Sequence, residues 1–155
     1  MINFNKIEPN IFIGSAPQNE VDIARLKQMK VTAVLSLQSD GDFKSHRIDW
    51  VKLQSGYSSN EIAIQRFAII DFDERDLGNK LAEPVKALNT ILSQGHCVYV
   101  LWNAGVCRAP ATVLAYLCHY RDMDIDQGLE YLRRNRPQVH PYISAVEKAL
   151  GELAS

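Results

Sequence analysis

The sequence VYVLWNAGVCRAP, residues 98–110, decides the fold, because it joins a buried strand to the start of a helix. The run 97–101 is apolar and rich in β-branched and aromatic residues, which is typical of a strand buried on both faces. Apolar residues over 108–117 recur at helical spacing, and Pro110 stands near the first turn, where its missing N–H costs nothing. The segment therefore predicts a strand and a helix joined by a short turn around Gly105.

The turn between this strand and this helix has the properties of an oxyanion site. Small residues allow a concave turn that directs backbone N–H groups inward, and a helix start adds partial positive charge. Arg108 would supply a planar, two-pronged donor for two phosphate oxygens. A purely structural turn with a structural arginine is the alternative. The predicted phosphate-binding residues are Asn103, Ala104, Gly105, Val106, Cys107 and Arg108.

Strands alternate with helices along the whole chain, which predicts one α/β domain over residues 1–155. We expect a central, mostly parallel sheet of four or five strands with helices on both sides. The predicted strands cover 10–14, 31–37, 65–70 and 97–101. The predicted helices cover 20–29, 48–54, 77–93, 109–120, 125–134 and 141–153.

The composition excludes several classes of function. The chain of 155 residues has a formal net charge of −1, which gives no reason to expect nucleic acid or an anionic membrane as partner. No apolar stretch is long enough to span a membrane. Three cysteines without a disulfide spacing favour a reducing, cytoplasmic location. The four histidines have no metal-ligand spacing, so we expect neither metal nor cofactor.

A second candidate group follows the strand predicted at 65–70. Sites in open α/β sheets form at the carboxyl ends of strands, and the acidic cluster 71–76 stands at such an end. Asp71 would be placed to exchange protons with a ligand bound by Arg108. Acids that precede a helix also serve as caps, and the pattern leaves both roles open for Asp71.

Four motifs together resemble the dual-specificity phosphatases, and more closely the starch-excess-type glucan phosphatases of plants. The first two are the opening strand and Gly-Ser-x-Pro-Gln turn over 10–18 and the strand ending in Leu-Gln over 34–38. The others are the Asp-Phe-Asp loop that begins at 71 and the Ala-Gly-x-x-Arg-Ala-Pro segment that ends at 110. The resemblance covers nearly the whole chain and implies the dual-specificity phosphatase fold.

The resemblance also implies roles for single residues. Asp71 would be the general acid, Arg108 would bind the phosphoryl oxygens, and Phe72 would contact a glucan chain. Leu101 and Trp102, however, stand where the family has the histidine and the nucleophilic cysteine. Cys107, next to Arg108, is poorly placed as a replacement, since the loop amides are arranged around an atom at the start of the loop.

The sequence therefore predicts a pseudophosphatase that binds a phosphorylated ligand, a phosphoprotein or a phosphoglucan, or a partner protein. An active phosphomonoesterase is one alternative; it requires a route without a thiol, or a natural loop that carries His-Cys at 101–102. A scaffold domain with its pocket filled by Trp102 is the other alternative.

Overall fold

The computed structural model describes residues 2–45, 47–70, 73–102, 108–137 and 139–155, with only the backbone of residue 102. The strands are β1 (Phe4–Glu8), β2 (Ile11–Ser15), β3 (Ala33–Ser36), β4 (Ala63–Arg66) and β5 (Val98–Trp102). The helices are α1 (Glu20–Gln28), α2 (Asp40–Ser45), α3 (Trp50–Ser59), α4 (Glu74–Lys80), α5 (Ala82–Ser93), α6 (Arg108–Tyr120), α7 (Ile125–Asn135) and α8 (Ile143–Leu153). None of the helices in these ranges is both long and apolar enough to cross a membrane.

The five strands form one sheet in the order β1-β2-β5-β3-β4. Strands β2, β5, β3 and β4 are parallel, and β1 pairs with β2 in the antiparallel sense. Strand β5 is the centre, because it pairs with β2 on one side and with β3 on the other. The four parallel strands therefore end at the same edge of the sheet, where α6 also begins.

The alternation of side chains along β5 divides the core into two layers. Val98 and Val100 pack with buried residues of α5, α6 and α8 on one face of the sheet. Tyr99 and Leu101 pack with buried residues of α1 and α3 on the other face. All four side chains are fully buried, so the predicted central strand, its burial and the helices on both faces are confirmed.

Four predicted details were wrong. The strand predicted at 65–70 is β4, which begins earlier and ends at Arg66, and the helix predicted at 77–93 is divided into α4 and α5. Pro84 lies in the first turn of α5, where no N–H donor is needed, so the division suits its chemistry. Strand β1 and helix α2 were missed, because β1 is a half-polar edge strand and α2 is short and polar.

Close packing at β2 generates a stability prediction. A Cβ added at Gly14 would overlap the ring and hydroxyl of Tyr99, whose hydroxyl donates to Ser15 O at 2.7 Å. We expect Gly14→Ala to lower the free energy of unfolding by about 1–3 kcal/mol in urea denaturation, since the sheet or the tyrosine must shift. Gly151→Ala is the control. A Cβ there would meet no neighbour, so the stability of this variant should stay equal or rise.

Candidate functional site

Arg108 lies at the carboxyl edge of the sheet as the first residue of α6, and only 1% of its surface is exposed. Its Nη1 donates to the carbonyl oxygens of Leu37 at 3.1 Å and Ile69 at 2.9 Å. These two residues follow β3 and β4, so one guanidinium nitrogen connects the exits of two strands to the start of α6. The arginine is thus held in a fixed orientation at the edge where the sequence predicted a site.

Asp42 completes this arrangement, and the sequence analysis did not identify it. Its Oδ2 accepts from Arg108 Nη1 at 2.6 Å, and 11% of its side chain is exposed. The same carboxylate accepts from the backbone N–H of Ser39 at 2.8 Å, while Asp42 N–H donates to Ser39 Oγ at 3.3 Å. This reciprocal pattern is that of a capping box. The spacing Ser39-x-x-Asp42 after a buried strand was the sequence signal for α2 and its carboxylate.

The pKa of Asp42 reflects two opposing effects. Burial favours the neutral acid and would raise the pKa. The hydrogen bonds from Arg108 and Ser39, together with the positive charge of Arg108, outweigh burial and hold the pKa of Asp42 below its ordinary value. At neutral pH the site therefore contains a buried ion pair, in which the charge of Arg108 is partly compensated before any ligand arrives.

The acidic cluster after β4 divides into capping residues and residues of unassigned role. Asp73 caps α4, because its Oδ1 accepts from the N–H of Asp76 at 2.9 Å. Asp76 Oδ2 accepts from the N–H of Ile70 at 2.8 Å, and Lys80 Nζ lies 2.9 Å from Asp76 Oδ1. Ile70 and Asp73, the described residues on either side of 71–72, are therefore both held by contacts with Asp76 of α4.

Asp71 and Phe72, the predicted acid and the predicted ligand contact, lie between these two anchors but outside the described residues. Their roles stay predictions.

The pKa of Asp76 is lowered from its ordinary value. Burial would raise this pKa, but the hydrogen bond from the Ile70 amide and the contact with Lys80 outweigh burial, so Asp76 is ionised. A negative charge thus lies one turn into α4, close in sequence to Asp71.

The backbone of Trp102 ends β5, in register with Ser15 of β2. The preceding residue, Leu101, is fully buried in the layer that faces α1 and α3. The predicted loop residues Asn103, Ala104, Gly105, Val106 and Cys107 lie outside the described residues, and their binding role stays a prediction. Of the predicted phosphate ligands, the structure describes Arg108.

Cys97 and Cys118 are free and half-buried. Burial raises the pKa of both thiols, which disfavours the thiolate form that acts as a nucleophile. Cys97 precedes β5, at the end of the strand opposite to Trp102, and a strand of this length spans roughly 16 Å. Cys118 is ten residues along α6 from Arg108, which corresponds to roughly 15 Å.

Comparison with known proteins agrees with this geometry. A family model described as "Dual specificity phosphatase, catalytic domain" matches residues 11–149. The phosphoglucan phosphatase LSF1 (chloroplastic) of Arabidopsis thaliana is 28% identical over 89% of this chain, which corresponds to 24% of the relative. The phosphoglucan phosphatase DSP4 (amyloplastic) of Castanea sativa is 28% identical over 98% of this chain and 41% of the relative. The chain thus spans less than half the length of these two relatives.

Among solved structures, the human tyrosine phosphatase-like serine/threonine/tyrosine-interacting protein is similar in fold. It superimposes with a TM-score of 0.77 at 18% identity, over 97% of this chain and 95% of the other. Both plant relatives are named as plastid proteins, so the cytoplasmic location stays a prediction. The family model covers most of the chain, residues 11–149. The chain belongs to the dual-specificity phosphatase family.

Proposed function

We propose that this domain is a pseudophosphatase, which binds a phosphorylated ligand at the edge formed by Arg108 and the 103–107 segment without transferring the phosphoryl group. The observation that carries the proposal is a firmly held Arg108, in a chain with Trp102 at the position that the family resemblance assigns to the nucleophile. Binding and catalysis have separate requirements in this chemistry. An arginine and inward amides hold the phosphoryl oxygens, whereas the covalent step needs a nucleophile.

The geometry of Arg108 supports the binding half of the proposal. Asp42, Leu37 and Ile69 all accept from Nη1. In this proposal a phosphate would be bound through the edge of the guanidinium formed by Nε and Nη2, which presents two parallel donors. Because the orientation of the planar group is already fixed, a ligand would not have to order a flexible side chain on binding.

The positions and pKa values of the cysteines support the non-catalytic half. Cys97 is at the opposite end of β5 from Trp102, and Cys118 is ten residues along α6 from Arg108. The raised pKa values of both cysteines favour the thiol over the thiolate. Cys107 precedes Arg108 in the sequence, at the end of the loop rather than at its start. An indole at position 102 has no lone pair that can attack phosphorus.

The relatives suggest the class of ligand. Two of them are named phosphoglucan phosphatases, so a phosphorylated glucan is the first ligand to test, and a phosphoprotein is the second. In this proposal Asp71 would hydrogen-bond the bridging oxygen of the ligand, and Phe72 would contact its sugar or side chain. The proposal is supported by their position in the sequence, since both residues follow Ile70 directly and the neighbouring Ile69 O accepts from Arg108.

The first prediction concerns oxyanion binding by the intact protein. We expect tungstate, a phosphate mimic, to bind in calorimetric titration. Arg108→Lys should weaken this binding at least about tenfold, because an ammonium keeps the charge but loses the planar fork. Thermal unfolding of the variant checks that it is folded. If a folded Arg108→Lys bound tungstate as well as the intact protein, Arg108 would not be the oxyanion ligand. If the intact protein bound none, the phosphate-ligand proposal would be wrong.

The second prediction concerns the missing nucleophile. Leu101→His with Trp102→Cys restores the family pair, and we expect this double variant to release phosphate from an aryl phosphate, whereas the intact protein does not. Trp102→Cys alone is the matched control, since it avoids a polar residue at the fully buried position 101. Adding Cys107→Ser should leave the restored activity in place. If the restored proteins bound tungstate and stayed inert, the domain would have lost more than its thiol.

The third prediction concerns Asp42 and pH. Asp42→Asn leaves Arg108 buried without its anionic partner, so we expect a loss of about 3 kcal/mol in the free energy of unfolding at pH 7. The folded-state pKa of Asp42 is lowered, so its ionic contribution is complete above the unfolded value of about 3.9 and is lost as pH falls through the folded value. The difference between the two proteins should therefore shrink below about pH 4.

Urea denaturation of both proteins between pH 3 and 7 measures this difference. Asp40→Asn is the matched control on the same helix, because the Asp40 side chain is 90% exposed. Its effect should stay below about 1 kcal/mol, as is usual for exposed ion pairs. An Asp42→Asn effect of the same small size, constant over this pH range, would show that the buried pair does not stabilise the fold.

A further inference from the structure

Arg66, the last residue of β4, is a second arginine at the carboxyl edge of the sheet. Its Nη1 donates to Gln38 O at 3.1 Å, and its Nη2 lies 3.1 Å from Asp40 Oδ1. One quarter of the Arg66 side chain is exposed. The Arg66 side chain is therefore more exposed than that of Arg108, of which 1% is exposed.

Two aromatic rings hold the guanidinium of Arg66 in place. Phe43 and Trp50 are stacked, with ring centroids 5.0 Å apart and planes inclined by 15°. The Arg66 Cζ atom lies 4.9 Å from the Phe43 centroid and 5.6 Å from the Trp50 centroid. Cation–π contacts of this kind orient a guanidinium without using its hydrogen-bond donors. Arg66 is thus preorganised by packing rather than by its ion pair.

A ligand could replace the Asp40 carboxylate that pairs with Arg66. The Asp40 side chain is 90% exposed, and an exposed ion pair contributes only about 0–1 kcal/mol. Displacing Asp40 would return its carboxylate to water at little cost. The pair of Arg108 with Asp42 differs in this respect, because both of those partners are buried.

Arg66 and Arg108 bind consecutive carbonyl groups of the chain. Arg108 Nη1 is 3.1 Å from Leu37 O, and Arg66 Nη1 is 3.1 Å from Gln38 O. Because successive Cα atoms are about 3.8 Å apart, the two Nη1 atoms lie within roughly 12 Å of each other. Their carboxylate partners, Asp42 and Asp40, are on the same helix. The two guanidinium groups are therefore neighbours at one edge.

We propose that Arg66 is a second anion subsite beside Arg108, and that the ligand of this domain carries two phosphate groups. The inference rests on the proposed function for its first subsite. One phosphate binds Arg108, as in the proposed function. The second displaces Asp40 from Arg66, whose guanidinium stays in place on the Phe43 and Trp50 rings.

A series of alkanediol bisphosphates of increasing length, from ethane-1,2-diol to octane-1,8-diol, tests this proposal. Each compound is compared in calorimetric titration with the monophosphate of the same alcohol. We expect one spacer length to bind at least about tenfold more tightly than its monophosphate, because the second contact is made intramolecularly. Two equivalent phosphate groups alone would give only about a twofold advantage by statistics.

Three single variants separate this role from a structural one. Arg66→Gln should reduce the advantage of the best bisphosphate to about twofold and leave monophosphate affinity within about twofold. Asp40→Asn should increase the advantage, since the competing carboxylate is gone. Lys44→Gln is the charge-matched control: it removes an exposed cation of α2 that has no part in the pair, and the advantage should not change.

The outcomes distinguish this inference from the proposed function. Monophosphate binding with no more than a twofold bisphosphate advantage at every spacer length would overturn the second subsite and leave the proposed function standing. An advantage that survives in folded Arg66→Gln, or falls in Asp40→Asn, would also overturn it. If neither mono- nor bisphosphates bound the intact protein, both the inference and the phosphate-ligand proposal would be wrong.

Discussion

The buried contact between Arg108 and Asp42 is the interaction on which the rest of the site depends. It connects the first residue of α6 to α2, and the same Nη1 atom binds the carbonyl groups that follow β3 and β4. Three regions that are distant in sequence, 37–42, Ile69 and the start of α6, therefore converge on one guanidinium nitrogen. Without it, the carboxyl edge would contain a buried carboxylate and two carbonyl groups that lack this donor, which is costly in a dry environment.

This dependence changes what the presence of Arg108 means. In a catalytic phosphatase, an arginine at this position is explained by its contact with the phosphoryl group. Here the contacts with Asp42, Leu37 and Ile69 give Arg108 a structural role as well. These contacts give the fold a reason to require Arg108 whether or not position 102 carries a nucleophile. Trp102 and Arg108 have different structural positions. Trp102 is the last residue of β5, whereas Arg108 binds the carbonyl groups that follow β3 and β4 at the edge of the sheet.

The sequence was sufficient for the features that depend on local pattern. The apolar run of β5, the helix that begins at Arg108 and the alternation of strands and helices predicted the sheet and the position of its edge. Asp42 could not be assigned in this way, because its role arises from a partner 66 residues away. Edge strands such as β1 and β4 were missed or displaced, since partial exposure removes the continuous apolar signal that marks a central strand.

An anionic ligand at this edge must compete with the carboxylates that already pair with the two arginines. Each of the two arginines already has a carboxylate, and the two carboxylates differ in how tightly they are held. Asp42 is fixed by burial and by Ser39, so it stays on Arg108 and orients the fork. Asp40 is exposed, so it can leave Arg66. An anion at this edge would thus find Arg108 permanently paired with Asp42, and Arg66 paired with a carboxylate, that of Asp40, which can be displaced. In the proposed two-phosphate site, this asymmetry favours a ligand that carries negative charge at two points, because the second contact releases an exposed carboxylate to water, whereas the first adds an anion beside an ion pair that stays intact.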